Sequence, residues 1–119
     1  MVSLNRVEII GNVGSEAEMR FTPVGKPVTS FRVACNSKFG DKETTEWFSI
    51  IAWNKLAETC NQYLQKGQQV FVEGRLQTRT WEGDDGVKHY KTEVVANRVL
   101  FLGKRKEGES TESEGEDLF

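Results

Sequence analysis

Apolar residues recur at helical spacing in only one stretch of this chain. Leu56, Ala57, Cys60 and Leu64 share a stripe between Asn54 and Gln65, Asn54 is placed to cap the first turn, and Lys66-Gly67 closes the last. The rest of the patterned sequence alternates with period two or forms short apolar runs, which is strand behaviour. Val7 to Ile10 reads as a mostly buried first strand ending at Gly11-Asn12-Val13-Gly14, and Met19 to Thr22 as a short strand before Pro23 to Pro27. From Val28 to Cys35, one face carries Phe31, Val33 and Cys35 inward while Arg32 points out. Asn36 to Thr44 is polar and reads as a loop carrying one isolated ring, Phe39. A strong strand from Thr45 to Trp53 leads into the helix. After it come a long strand from Gln69 to Trp81, a turn at Glu82-Gly83-Asp84-Asp85-Gly86, and a last strand or strand pair from Lys88 to Leu102.

Three principal strands, one helix and two further strands, with no repeat and no βαβ alternation, predict an all-β fold with one helix. The expected architecture is a five-stranded barrel of the oligonucleotide-binding (OB) type, with the helix between its third and fourth strands and the last two strands forming an extended hairpin. The 119 residues suit one domain, expected over residues 1–103, followed by a short acidic tail over residues 104–119.

The formal net charge of −2 conceals an uneven distribution. Residues 104–119 hold three basic and six acidic groups, a net of −3, which leaves 13 basic against 12 acidic side chains in residues 1–103, a net of +1. Charge alone therefore does not point to a polyanion partner, and any basic face must come from placement. Met1 to Asn12 already alternates with Arg6 and Glu8, so no signal peptide and no membrane span are expected, and the chain is expected in the cytoplasm. Cys35 and Cys60 each lie in an apolar-periodic segment and are expected as buried thiols. The single His89 has no neighbouring Cys, His or carboxylate cluster of metal spacing and no nucleophile motif. No catalytic residue, metal site or cofactor is expected, and His89 is expected at the surface or near bound nucleic acid.

Trp47 and Trp53 are separated by an even number of residues, so both rings project from one face of their strand, roughly 20 Å apart, while Phe48, Ile50 and Ala52 face the core. A subunit contact could equally cover such a tryptophan face. On the strand after the helix, Arg75, Gln77, Arg79 and Trp81 share one parity, opposite Val70, Val72 and Leu76. Interleaved cations and rings favour single-stranded nucleic acid: the cations follow phosphates and the rings stack on bases of any identity, at about 1–3 kcal/mol per base. Duplex DNA hides its base faces and could not use this surface.

Several stretches, in order and at matching intervals, resemble the bacterial single-stranded DNA-binding proteins (SSB): Asn5 to Gly14, Thr45 to Lys55, Leu56 to Gly67, Val70 to Trp81 and Tyr90 to Val95. The resemblance covers almost the whole chain. It implies sequence-nonspecific binding and protection of single-stranded DNA, with base stacking on Phe39, Trp47, Trp53 and Trp81. Phe39 stands where relatives carry Trp, and Trp53 where they carry Phe, so stacking of altered strength is expected. By position, Lys55, Lys66, Arg75 and Arg79 are the candidate phosphate contacts, with Arg32 and Lys38 beside them. A homotetramer and a nucleoid-associated location also follow from the resemblance.

Glu107 to Phe119 contains no basic residue and is rich in Glu, Ser and Gly, a composition that predicts disorder. A purely solubilising terminus gains nothing from finishing on Leu118-Phe119, which favours a docking peptide. The tip Glu116, Asp117, Leu118 and Phe119 resembles the SSB tail tip, implying recruitment of replication, recombination and repair proteins. It lacks the family's proline before the last phenylalanine, and its spacer is shorter than many relatives carry. A metal-dependent nuclease on the same barrel, a primosome accessory protein and an RNA chaperone are the competing readings. Of these, the primosome class lacks such a tail.

Overall fold

The computed structural model describes residues 1–103, so the expected tail, with Glu116, Asp117, Leu118 and Phe119, lies outside the described residues. Six strands and one helix follow in the order β1 (Val7–Val13), β2 (Glu18–Phe21), β3 (Pro27–Phe39), β4 (Lys42–Trp53), α1 (Asn54–Tyr63), β5 (Gln69–Glu82) and β6 (Lys88–Gly103). The sheet order is β1-β5-β6-β4-β3-β2, and an additional β1–β3 pairing joins its ends into a ring of five strands. Among the described residues, β2 pairs only with β3 and stands outside that ring. The helix follows the fourth of the six strands, which is the third of the five that make the ring.

Alternation explains most of the core. Ile9 and Val13 from β1, Phe31 and Val33 from β3, Ile50 and Ala52 from β4, and Val70 and Val72 from β5 all turn inward and are buried. The ring closes where Asn12 pairs with Ala34 and Val13 with Val33. Gly11 permits that approach: a Cβ there would meet the Ala34 carbonyl oxygen and the Val33 side chain at less than a van der Waals distance. α1 packs on β3 and β4 through Ala57 and Cys60, and the buried Thr29 hydroxyl donates to the Ala57 carbonyl at 2.7 Å.

Four local expectations are corrected. Asn36 to Thr44 is not a loop: β3 continues to Phe39 and β4 begins at Lys42, with Gly40 at φ 65° opening a two-residue turn where hairpins favour glycine. The arm is held by its ladder and by polar side chains, Ser37 to Thr44 at 2.9 Å and Thr45 to Asn36 at 2.7 Å. Asn54 does not cap α1 with its side chain. The N-cap is the extended Trp53, and Asn54 takes φ 58° as the chain turns directly from strand into helix. The helix stops at Tyr63, so Leu64 packs on the core from just beyond it. Leu76 does not share the buried fate of Val70 and Val72, because β5 leaves the ring after Gly74 and continues as an exposed arm.

Candidate nucleic-acid interface

The outward face of β4 is set by the parity that buries Ile50 and Ala52, and it presents Trp47 near mid-strand and Trp53 at the strand's end. Both rings remain accessible, at 48 and 41% exposure. Trp47 is seated from below and from the side. A Cβ on Gly14 would overlap its ring, so glycine there leaves the space the indole occupies. From β3, the Arg32 guanidinium carbon sits 4.4 Å from the Trp47 ring centroid, a cation–π distance. Arg32 is in register with Ser49 and reaches Trp47 diagonally.

A second ring site lies on the arm formed by β5 and β6. Trp81 faces His89 directly across the ladder, and the two rings stack with centroids 5.5 Å apart and planes 24° from parallel. Arg79, two residues back on the same face, brings its guanidinium carbon to 5.0 Å from the Trp81 centroid. Arg79 is also bound to Glu93 of β6 through Nε to Oε1 at 3.3 Å and Nη2 to Oε2 at 3.4 Å, and Lys91 Nζ lies 3.9 Å from the same carboxylate.

A cleft of about 550 Å³ links these two regions, with Ser15, Arg32, Ser49, Ile51, Lys91 and Glu93 among its lining residues. It sets Arg32, Ser49 and Ile51 beside Lys91 and Glu93 of the arm, with Glu16 and Glu18 also on its wall and none of the four candidate rings lining it. Phe39 stands at the tip of the β3–β4 hairpin, 90% exposed. Of the six candidate cations, Arg32 and Arg79 lie over candidate rings. Lys38, in register with Glu43, and Lys55 on α1, Lys66 before Gly67 and Arg75 on β5 are all exposed.

Sequence reasoning did not find Glu93, Lys91 or Gly14. Alternation alone marks Glu93 as an outward acid, and its burial depends on Arg79 arriving from the neighbouring strand. Cys60 is buried as expected, whereas Cys35, toward the solvated end of β3, is only partly so; burial pushes the Cys60 thiol up to about 11 and raises that of Cys35, so neither offers a ready thiolate at neutral pH. Among the described residues, no group of three His, Cys, Asp or Glu side chains is placed to hold a metal ion, and no helix is long and apolar enough to cross a membrane.

The sequence model of the Single-strand binding protein family matches residues 4–102, which spans the whole ring and the arm. The chain belongs to this family. It is 45% identical over 114 residues to the Single-stranded DNA-binding protein 1 of Chlorobaculum tepidum, covering 91% of this chain and 70% of that protein. With a Single-stranded DNA-binding protein of Neisseria meningitidis it shares 41% identity over 111 residues, or 89% of this chain and 64% of the relative. Among solved structures, a Plasmodium falciparum SSB in complex with ssDNA superimposes with a TM-score of 0.79 at 31% identity, covering 86% of this chain and 97% of that one. The family match ends one residue short of the last described residue, so Trp47, Trp81 and the residues lining the cleft all lie within it.

Proposed function

We propose that this chain binds single-stranded DNA without reading its sequence, laying bases on Phe39, Trp47, Trp53 and Trp81. The observation that carries the reading is the pairing of ring and cation at two places on one surface, Arg32 over Trp47 and Arg79 over Trp81. Each pair offers an apolar face for a base and a positive charge for the adjoining phosphate. Lys38, Lys55, Lys66 and Arg75 supply further phosphate contacts around it. Family membership and the likeness to an SSB structure holding ssDNA support the same substrate. The five-strand ring is read as a closed OB barrel, which frees the β4 face for ligand.

Binding protects the strand, and no chemistry on it is proposed. The acidic tip Glu116 to Phe119 is assigned to docking replication, recombination and repair proteins, and the working assembly is a homotetramer in the cytoplasm, associated with the nucleoid. Oligo(dT) strongly quenches the tryptophan fluorescence on this reading, whereas duplex DNA does not. Absence of quenching at low salt would sink it. Light scattering tests the tetramer, and deletion of residues 107–119 tests the tail, leaving DNA affinity intact or raised while abolishing partner binding.

A further inference from the structure

The sequence contains one histidine, and base stacking on the four rings gives it no task. His89 lies directly opposite Trp81 in the ladder, ring on ring at 5.5 Å. Its Nε2 is 3.8 Å from Asp85 Oδ1 in the turn, and the imidazole folds over Gly83, where a Cβ would come within 2.9 Å of Nε2. From β5, Arg79 sits 5.0 Å from the same indole centroid. On β6, Lys91 follows on the same face and is tied to Glu93, which also holds Arg79. His89 thus lies beside Asp85 of the turn, on an arm whose same face also carries Arg79 against Trp81 and Lys91 against Glu93, and its side chain is still 44% exposed.

We propose that His89 belongs to the nucleic-acid site, an imidazole stacked on Trp81 that takes up a proton when DNA binds and meets the phosphates as a cation. The proposal rests on the single-strand reading given above. Imidazole is the side chain whose charge ordinarily changes between about pH 5 and 8. A base stacked on Trp81 brings its flanking phosphates beside His89, and a nearby negative charge favours the protonated form. Protonation does not cost the stack, because a cation over an indole face is itself attractive. If the complex binds the proton more tightly than the free protein does, affinity must rise as pH falls through this range. Asp85 already faces the imidazole in the free protein, so the size of the effect reports what DNA adds beyond Asp85.

The test is fluorescence titration of the full chain with oligo(dT) at about pH 8 and about pH 6, since thymine carries no group that titrates between them. Wild-type affinity is expected to rise about three- to tenfold on acidification, within what the uptake of a single proton allows. His89→Gln is expected to lose that rise. Every other group is common to both proteins and cancels in their comparison. His89→Arg fixes the charge and is expected to bind at high pH as tightly as wild type at low pH, with a salt slope steeper by about 0.7. An equal pH response in wild type and His89→Gln, or no gain at high pH in His89→Arg, overturns the proposal. Lack of quenching by wild type at both pH values instead overturns the single-strand reading itself.

Discussion

Glu93 accepts two hydrogen bonds from the guanidinium of Arg79 on the neighbouring strand, at 3.3 and 3.4 Å, although the residue directly opposite Arg79 in the ladder is Lys91. Like charges facing each other across a ladder repel, and the carboxylate, only 11% exposed, compensates both by lying diagonally between them. The consequence reaches the site, because the Arg79 that Glu93 fixes is the one over Trp81. An acid therefore sits within a surface read as binding a polyanion, and its task is to hold a cation in position.

Replacing Glu93 with Gln separates these roles. The amide keeps the size and some hydrogen bonding but removes the charge, leaving Arg79 and Lys91 opposed. Stability is expected to fall by about 1 kcal/mol, discounted because Arg79 is more than half exposed. The salt dependence of oligo(dT) binding is expected to steepen, by up to about 0.7 in slope for one more cation free to meet a phosphate. An unchanged slope in a salt titration would mean that Arg79 gains no freedom when the carboxylate charge is lost.

Gly14 should matter through Trp47 alone. A methyl group at Gly14 must displace the indole, while the backbone amide of Gly14 can still donate to the Arg32 carbonyl at 2.9 Å. Gly14→Ala is expected to weaken oligo(dT) binding by about 1–2 kcal/mol, the value of one disturbed stack, and to reduce the quenching amplitude. Trp47→Phe in the same background is the control: the smaller ring should recover part of the loss if the clash is the cause.

Much of this site is legible from parity, and the parts that are not share a physical reason. Trp47 and Trp53 stand out because the residues between them alternate against a buried set, Ile50 and Ala52. The arm from Asn36 to Thr45 is solvated on both faces, so its ladder leaves no hydrophobic signature and Phe39 reads as a loop residue. On β6 the inward set runs Val94, Ala96, then Val99, because a bulge leaves Asn97 unpaired and moves the face by one residue. Glu93 and Gly14 act through residues 14 and 33 positions away, a relation that exists only once the strands have paired.

Burial of Cys60 has a pH signature. Its thiol is completely buried and raised to about 11, whereas an unfolded thiol titrates near the ordinary value of 9.0. The unfolded chain thus loses this proton first as pH rises, so the associated stability is fully present below about pH 9 and is lost progressively toward pH 11. The loss is expected to reach at most about 2–3 kcal/mol, the free-energy equivalent of a thiol raised from 9.0 to about 11. Urea unfolding at neutral pH and near pH 10.5 should show a decline in wild type that is smaller in Cys60→Ala, after allowing for that variant's lower starting stability.

Phe39 offers the sharpest separation of binding from folding. Its ring is 90% exposed at a hairpin tip, in register with Lys42 and outside the core cluster, so it contributes little to the folded state. Phe39→Ala is expected to change stability by no more than about 0.5 kcal/mol. The same change should weaken oligo(dT) binding by about 1–3 kcal/mol, because a base loses its platform. Phe39→Trp should bind at least as tightly as wild type and add to the quenching, since a larger ring at an unconstrained tip offers more stacking surface without a core to disturb. Calorimetric melting alongside fluorescence titration of both variants checks the two halves together. A Phe39→Ala protein that melts as wild type and binds as wild type would remove the β3–β4 hairpin tip from the DNA path.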